Sequence, residues 1–71
     1  MEKFFLREED EYIKLGQLLK ACALVENGAM AKEEIQDGLV KVNGKVEYQR
    51  GRKLKHGDVV EYEGYEITVC G

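Results

Sequence analysis

Residues that could bind a metal ion or form disulfide bonds are scarce in this chain. It has one histidine, His56, and two cysteines, Cys22 and Cys70, which stand far apart in the sequence. A structural zinc site needs four ligands, usually in closely spaced pairs, so we expect no metal site and no cofactor. Two cysteines do not make a disulfide framework, and we expect both to be free thiols in a reducing compartment.

Long apolar runs are also missing. No stretch approaches the roughly 20 apolar residues that a transmembrane helix needs. Residues 1–7 are followed at once by the acidic run 8–11, and this pattern is unlike a secretory signal. We therefore expect a soluble, cytoplasmic protein with no membrane partner.

The chain also lacks the paired groups that an enzyme would need. A domain of 71 residues buries only about 60% of its unfolded surface, which leaves little room for a cleft beside the core. His56 lies in a Lys-His-Gly-Asp turn with no positioned partner that would make it a general base. Carboxylates are numerous, but we interpret them as exposed faces. We expect no catalytic residues and a protein that is not an enzyme.

Positive charge is concentrated in one segment, residues 41–55. Six lysines and arginines and one glutamate give it a net charge of +5, whereas the whole chain has a net charge of −3. A cationic segment in an acidic protein indicates either a solvated loop or a surface that contacts the backbone of a nucleic acid.

The first predicted helix covers residues 15–25. Its apolar residues recur at helical spacing and form one stripe, with Gly16 as a weak N-cap; they are Leu15, Leu18, Leu19 and Cys22. A second helix is predicted over residues 28–37, with Asn27 as its N-cap and Gly38 at the left-handed position beyond its end. Two short helices in succession predict a helical hairpin that depends on a sheet for stability.

Strands follow the helices. Residues 39–42 alternate and lead into Asn43-Gly44, a strong hairpin signal. We expect a three-residue loop with Gly44 in a bulge, because this register sets Val40 against Val46. Residues 58–62 and 65–69 predict a last hairpin around Glu63-Gly64, with Tyr62 and Tyr65 on its core face. The overall prediction is an α+β fold, a two-helix hairpin packed on a small antiparallel sheet.

The beginning of the chain is harder to interpret. Phe4, Phe5 and Leu6 are candidates to cover one end of the core, and residues 11–15 alternate as a short edge strand would. We expect residues 1–11 to form an N-terminal extension, which packs on the domain or contacts a partner. Residues 12–71 are expected to form the domain itself.

In order along the chain, several short motifs resemble the S4 RNA-binding domain, and most closely the small stand-alone bacterial S4 proteins of the YaaA and YbcJ type. The resemblance covers about residues 12–69 and rests on these motifs: Asn27-Gly28-Ala29-Met30-Ala31-Lys32, Ile35, Gly38, Val40, Val42-Asn43-Gly44, Arg50-Gly51-Arg52-Lys53-Leu54 and Gly57-Asp58. Ala29 replaces a family glycine, and Gln49 replaces the first arginine of the basic loop.

The resemblance implies an S4-like αL motif that holds structured RNA, often ribosomal, and a role in ribosome assembly or quality control. Arginines in the loop are suited to this because a guanidinium can hold a phosphate through two parallel hydrogen bonds. The candidate RNA-binding residues are Lys20, Asn27, Lys32, Lys41, Lys45, Arg50, Arg52, Lys53 and Lys55. For the tyrosines, including Tyr12 and Tyr48, packing is favoured over stacking on bases.

Two alternatives to RNA binding remain. The same cationic segment could dock an acidic protein partner, in which case the chain is an adaptor. A ubiquitin-like sulfur carrier has a similar length and a Val-Asn-Gly hairpin, but it ends in Gly-Gly, whereas this chain ends in Cys70-Gly71 and has two helices before its hairpin.

Overall fold

The computed structural model describes residues 2–71; Met1, the first residue of the expected N-terminal extension, lies outside the described residues. Within these described residues, two helices and seven strands follow one another. They are β1 (Glu2–Phe5), β2 (Ile13–Lys14), α1 (Leu15–Ala21), α2 (Gly28–Gln36), β3 (Val40–Val42), β4 (Lys45–Val46), β5 (Lys53–Leu54), β6 (Val59–Tyr62) and β7 (Tyr65–Cys70). Neither helix is long or apolar enough to cross a membrane, among the residues described.

The strands form two sheets. The larger one has five strands in the order β1-β7-β6-β3-β4, and the smaller one pairs β2 with β5. Most pairs are antiparallel, which confirms the α+β prediction, but β1 runs parallel to β7 at one edge. Neither this parallel strand nor the pairing of β2 with β5 was predicted, because both join segments that are distant in sequence.

A single core joins the helices to the larger sheet. Its fully buried side chains come from α1, α2, β5 and the inward positions of β3, β6 and β7. They include Leu15, Leu18, Leu19, Ile35, Leu54, Val60 and Ile67, each with no exposed surface. The apolar stripe predicted for the first helix is therefore confirmed at its three leucines, while Cys22 is half-buried at the end of the helix.

Helix α1 ends four residues earlier than predicted. Ala23 adopts a left-handed φ of 57°. The amide of Ala23 donates to the carbonyl of Lys20 and that of Leu24 donates to Leu19, which is the Schellman pattern of helix termination. The prediction missed this end because alanine is a strong helix former and gave no stop signal. Gly16 is likewise not the N-cap, since Lys14 holds that position.

Helix α2 agrees closely with the prediction. The side-chain oxygen of Asn27 accepts a hydrogen bond from the amide of Met30 at 2.8 Å, so Asn27 is the N-cap. Gly38 follows the helix with a φ of 78°. Its amide donates to Ile35, which closes a second Schellman motif.

The predicted register of the β3–β4 hairpin is wrong. Val42 pairs with Lys45 and Lys41 with Val46, so the turn contains only Asn43 and Gly44. Both turn residues have positive φ, 53° and 84°, as a type I′ turn requires. Strand β4 lies at the sheet edge and both of its residues are exposed, so no buried face fixes its register and the turn decides it.

The last hairpin has the predicted two-residue turn at Glu63-Gly64. Tyr62 pairs with Tyr65, and Tyr62 is buried as expected. Tyr65 is 48% exposed, so its assignment to the core is wrong.

Candidate RNA-binding surface

The basic loop between β4 and β5 is fixed to the start of helix α1. The amide of Leu15 donates to the carbonyl of Arg52 and the amide of Gly16 donates to the carbonyl of Arg50, both at 2.9 Å. Strand β2, immediately before the helix, pairs with β5, immediately after the loop. These contacts fix the backbone of the loop against α1 even though the side chains of residues 48–53 are exposed.

Gly16 allows this close approach. A Cβ atom at position 16 would lie 3.5 Å from both the Cβ and the carbonyl oxygen of Arg50, and 3.9 Å from the Cβ of Ala31 on the second helix. The loop, α1 and α2 therefore meet at one point. Any side chain longer than that of alanine at position 16 would have to enter this junction.

At this junction three cationic side chains surround a concavity of about 330 Å³. Lys14 comes from β2, Lys20 from α1 and Arg50 from the basic loop. Gly28, the first residue of α2, lines the same concavity, so the partial positive charge at that helix N-terminus adds to the three full charges. The arrangement is suited to an anionic ligand such as a phosphate.

The three cations keep their charge available. Among residues 2–71, the ion pairs within 4 Å are formed by Arg7 and Arg52. In that part of the chain, Lys14, Lys20 and Arg50 consequently have no carboxylate partner to displace before they bind a ligand.

Arg52 has a different environment from Arg50. Its Nη1 donates to Oε1 of Glu47 at 2.7 Å, and the Glu47 side chain is only 17% exposed. The hydrogen bond from Arg52 lowers the pKa of the Glu47 carboxyl, helped by a hydrogen bond from the amide of Gln49. Arg52 therefore closes the loop by bridging its two ends, and much of its charge is already neutralised.

The other lysines of the cationic segment do not converge on this concavity. Lys53 Nζ lies 5.0 Å from the centroid of the Tyr12 ring. Lys41 pairs with Glu61 across the sheet and lines a separate groove with three glutamates. Lys45 is exposed beside the hairpin turn, and Lys55 is exposed before the next turn, where its amide donates to Asp58.

The two remaining candidates lie on or beside α2. Lys32 is exposed on the helix, next to Ala31, which lines the concavity. The side-chain oxygen of Asn27 is occupied by its capping hydrogen bond. Of the nine candidates from the sequence, Lys20 and Arg50 thus meet directly at the concavity.

Lys14 was missed by the sequence analysis. It lies outside the cationic segment, and its position depends on the pairing of β2 with β5, where it stands opposite Lys53. The alternation of residues 11–15 suggested a strand there, which could have pointed to Lys14. Nothing in the sequence indicated which strand would be its partner.

A polar network fixes the β3–β4 hairpin to the turn before β6. Nδ2 of Asn43 donates to Oδ1 of Asp58 at 3.0 Å, and the amide of Val59 donates to Oδ1 of Asn43 at 2.9 Å. Oδ2 of Asp58 accepts from the amide of Lys55 at 2.8 Å. Burial raises the pKa of Asp58, but these hydrogen bonds outweigh it and the net shift is downward. The Val-Asn-Gly and Gly-Asp motifs are therefore parts of one contact.

Comparison with known proteins identifies the family. A model of the S4 domain matches residues 6–70. The chain belongs to the S4 domain family. The match includes both helices, the basic loop and the Asn43–Asp58 contact, so the elements that form the concavity are all within the S4 domain.

Individual relatives agree with this assignment. Over 57 residues the chain is 46% identical to the probable ribosome maturation protein RlbA of Bacillus subtilis. The matched region covers 80% of this chain and 80% of RlbA. It is also similar to the solution structure of YbcJ from Escherichia coli, which reveals an αL motif involved in RNA binding. That similarity has a TM-score of 0.74 and 35% identity, and it covers 100% of this chain and 89% of YbcJ.

S4 membership also decides between the fold alternatives. The sulfur-carrier interpretation required a ubiquitin-like fold, whereas the S4 model covers nearly the whole chain. The Val-Asn-Gly hairpin that suggested a carrier is the β3–β4 hairpin of the S4 domain, and two helices precede it.

Proposed function

We propose that this protein is a non-catalytic RNA-binding protein that holds structured RNA in the concavity formed by Lys14, Lys20 and Arg50. The observation that carries the proposal is the convergence of these three cations, from three separate elements, on one fixed junction. The neighbouring groove is also lined by three cations, Arg7, Lys14 and Lys20, but three carboxylates line it as well, whereas the lining of the concavity contains no carboxylate among residues 2–71.

Structured RNA is the partner that suits this geometry. An A-form helix hides its base edges in a deep, narrow groove, so proteins contact its phosphates and 2′-hydroxyl groups. Three cations on a rigid support can contact phosphates without reading bases. Arg50 can hold a phosphate through two parallel hydrogen bonds, while Lys14 and Lys20 act as point charges.

The charge of the remaining surface supports a single docking orientation. The protein has a net charge of −3 despite this cationic surface. On the outer face of the sheet, Glu61 and Glu66 are directly paired. RNA would be repelled from that face and attracted to the concavity, so long-range electrostatics would favour one orientation.

Ribosomal RNA is the proposed target, in ribosome assembly or quality control within the cytoplasm. The support is the relative named as a probable ribosome maturation protein, with which the chain shares 46% identity. Two experiments address this part of the proposal. Binding to structured ribosomal RNA fragments should exceed binding to duplexes of unrelated sequence and equal length, and the protein should co-sediment with ribosomal subunits or their precursors.

The adaptor alternative gives a different result in the same experiments. If the protein co-sediments with ribosomal particles but does not bind isolated RNA at low salt, it contacts a protein there and the RNA proposal is wrong. If RNA binding is retained without preference for ribosomal fragments, RNA binding stands and the ribosomal target is wrong.

A further inference from the structure

A second, larger groove adjoins the cationic concavity. It has a volume of about 940 Å³ and lies between the segment that leads into β2 and the side of helix α1. Lys14, Gln17 and Lys20 line both the groove and the concavity. An RNA whose backbone contacts Lys14 and Lys20 would therefore lie at the opening of this groove.

Tyr12 and Lys14 line the groove, and Lys53 lies beside the Tyr12 ring. Tyr12 is 38% exposed, and Lys53 Nζ lies 5.0 Å from the centroid of its ring. Lys14 and Lys53 are directly opposite each other across the β2–β5 pair. Like charges in that position destabilise a pair of strands, and an anion bound between them would relieve the repulsion. An aromatic ring beside two cations fits a nucleotide better than a phosphate alone.

The groove is also lined by carboxylates. Glu9, Asp10 and Glu11 line it, and Arg7 is held there by hydrogen bonding to Asp10 at 3.1 Å. These carboxylates disfavour a phosphate in the interior, but they can accept hydrogen bonds from the amino groups of a nucleobase. The groove therefore suits a base inside and a phosphate at its edge.

We propose that this groove takes one unpaired nucleotide of a structured RNA, with its base against Tyr12 and its phosphate between Lys14 and Lys53. The proposal rests on the RNA binding proposed above and specifies the class of RNA: a helix interrupted by a bulged nucleotide. Such unpaired bases are the parts of structured RNA that proteins read by stacking and by hydrogen bonds to base edges.

The test compares a blunt-ended RNA duplex with the same duplex carrying one bulged adenosine. The wild-type protein should bind the bulged RNA about 5- to 150-fold more tightly, the range expected from stacking of one base on an aromatic side chain. Tyr12→Leu should lose this preference, while Tyr12→Phe should keep it because the ring remains. With 2-aminopurine as the bulged base, the wild type and Tyr12→Phe should quench its fluorescence more than Tyr12→Leu does.

The outcomes separate this inference from the general function. Equal wild-type affinity for the two RNAs overturns the groove as a nucleotide site, while RNA binding itself stands. Failure to bind either RNA overturns both. If Tyr12→Leu has the thermal stability of the wild type and keeps the full preference for the bulge, stacking on Tyr12 is contradicted.

Discussion

Arg52 and Glu47 form a short ion pair, with 2.7 Å between Nη1 and Oε1, that joins the two ends of the basic loop. Arg50, only two residues earlier, has no carboxylate within 4 Å among residues 2–71. Two arginines of one loop thus have separate roles. Arg52 holds the loop together, and Arg50 presents its charge at the concavity.

This difference predicts that alanine substitution of Arg50 weakens RNA binding, whereas alanine substitution of Arg52 weakens the fold. Arg50→Ala should change the free energy of unfolding by less than about 0.5 kcal/mol and reduce the slope of log affinity for RNA against log salt by about 1. Arg52→Ala should destabilise the fold by up to about 1 kcal/mol, since half-exposed ion pairs contribute little more, and leave most of the slope intact. Urea unfolding and RNA titrations measure the two quantities. A larger loss of RNA binding in Arg52→Ala would contradict the assignment.

The Glu47 contact also predicts a dependence of stability on pH. The hydrogen bond from Arg52 lowers the pKa of Glu47 below its ordinary value of 4.5. A carboxyl whose pKa is lower in the folded state stabilises the protein above the unfolded-state pKa, and this contribution is lost as pH falls through the folded-state pKa. Wild-type stability should therefore fall below about pH 4.5 more steeply than that of Glu47→Gln, measured by thermal unfolding at a series of pH values. Parallel curves would exclude the contribution.

The ends of the two helices give a matched pair of substitutions. Ala23 and Gly38 occupy equivalent left-handed positions, with φ of 57° and 78°. An alanine in this conformation costs about 1–2 kcal/mol, and glycine avoids that cost but loses more chain entropy on folding. Ala23→Gly should therefore stabilise the protein by about 0.5–1 kcal/mol, and Gly38→Ala should destabilise it by about 1–2 kcal/mol. Chemical denaturation measures both, and a change of the same sign in the two variants would contradict the assignment.

The Asn43–Asp58 contact predicts a larger loss of stability. Asp58→Ala leaves the amide of Lys55 and the side chain of Asn43 without their acceptors, which should cost about 1–3 kcal/mol. Asp37→Ala is the control because it removes the same single negative charge. Asp37 is the exposed C-cap of α2. A negative charge at that end opposes the helix dipole, so its removal should not destabilise the protein. Equal destabilisation by both variants would show that net charge, and not the contact, is responsible.

Local signals in the sequence predicted most of the fold. Asn27 and Gly38 marked the limits of α2, and the alternation around Glu63-Gly64 predicted the last hairpin and its turn. The prediction of the β3–β4 register was wrong because it was argued from burial. Strand β4 is an exposed edge strand, and the residues of the turn before it decide the pairing. The predicted end of α1 was wrong because Ala23 adopts a backbone conformation that alanine disfavours.

The candidate site was predicted less completely than the fold. The charge of residues 41–55 pointed to the basic loop, but charge alone did not distinguish Arg50 from Arg52, since their difference depends on the position of Glu47. Lys14 was missed because a contact distant in sequence, the pairing of β2 with β5, brings it to the concavity. Lys41 shares the same segment, yet the sheet places it beside Glu61.

The most direct test of the proposed surface compares two triple variants that remove the same charge. One is Lys14→Ala/Lys20→Ala/Arg50→Ala, which empties the concavity of its cations; the other is Lys41→Ala/Lys45→Ala/Lys55→Ala, which removes three cations elsewhere. Binding of a structured RNA is measured across a salt series to give the slope of log affinity against log salt. In the first variant this slope should be smaller in magnitude than in the wild type by about two to three units, since each phosphate contact contributes roughly 0.7–0.9. In the second variant the slope should change by less than about one unit. Equal reductions in the two variants, with both folded, would show that RNA responds to net charge alone and would contradict the site.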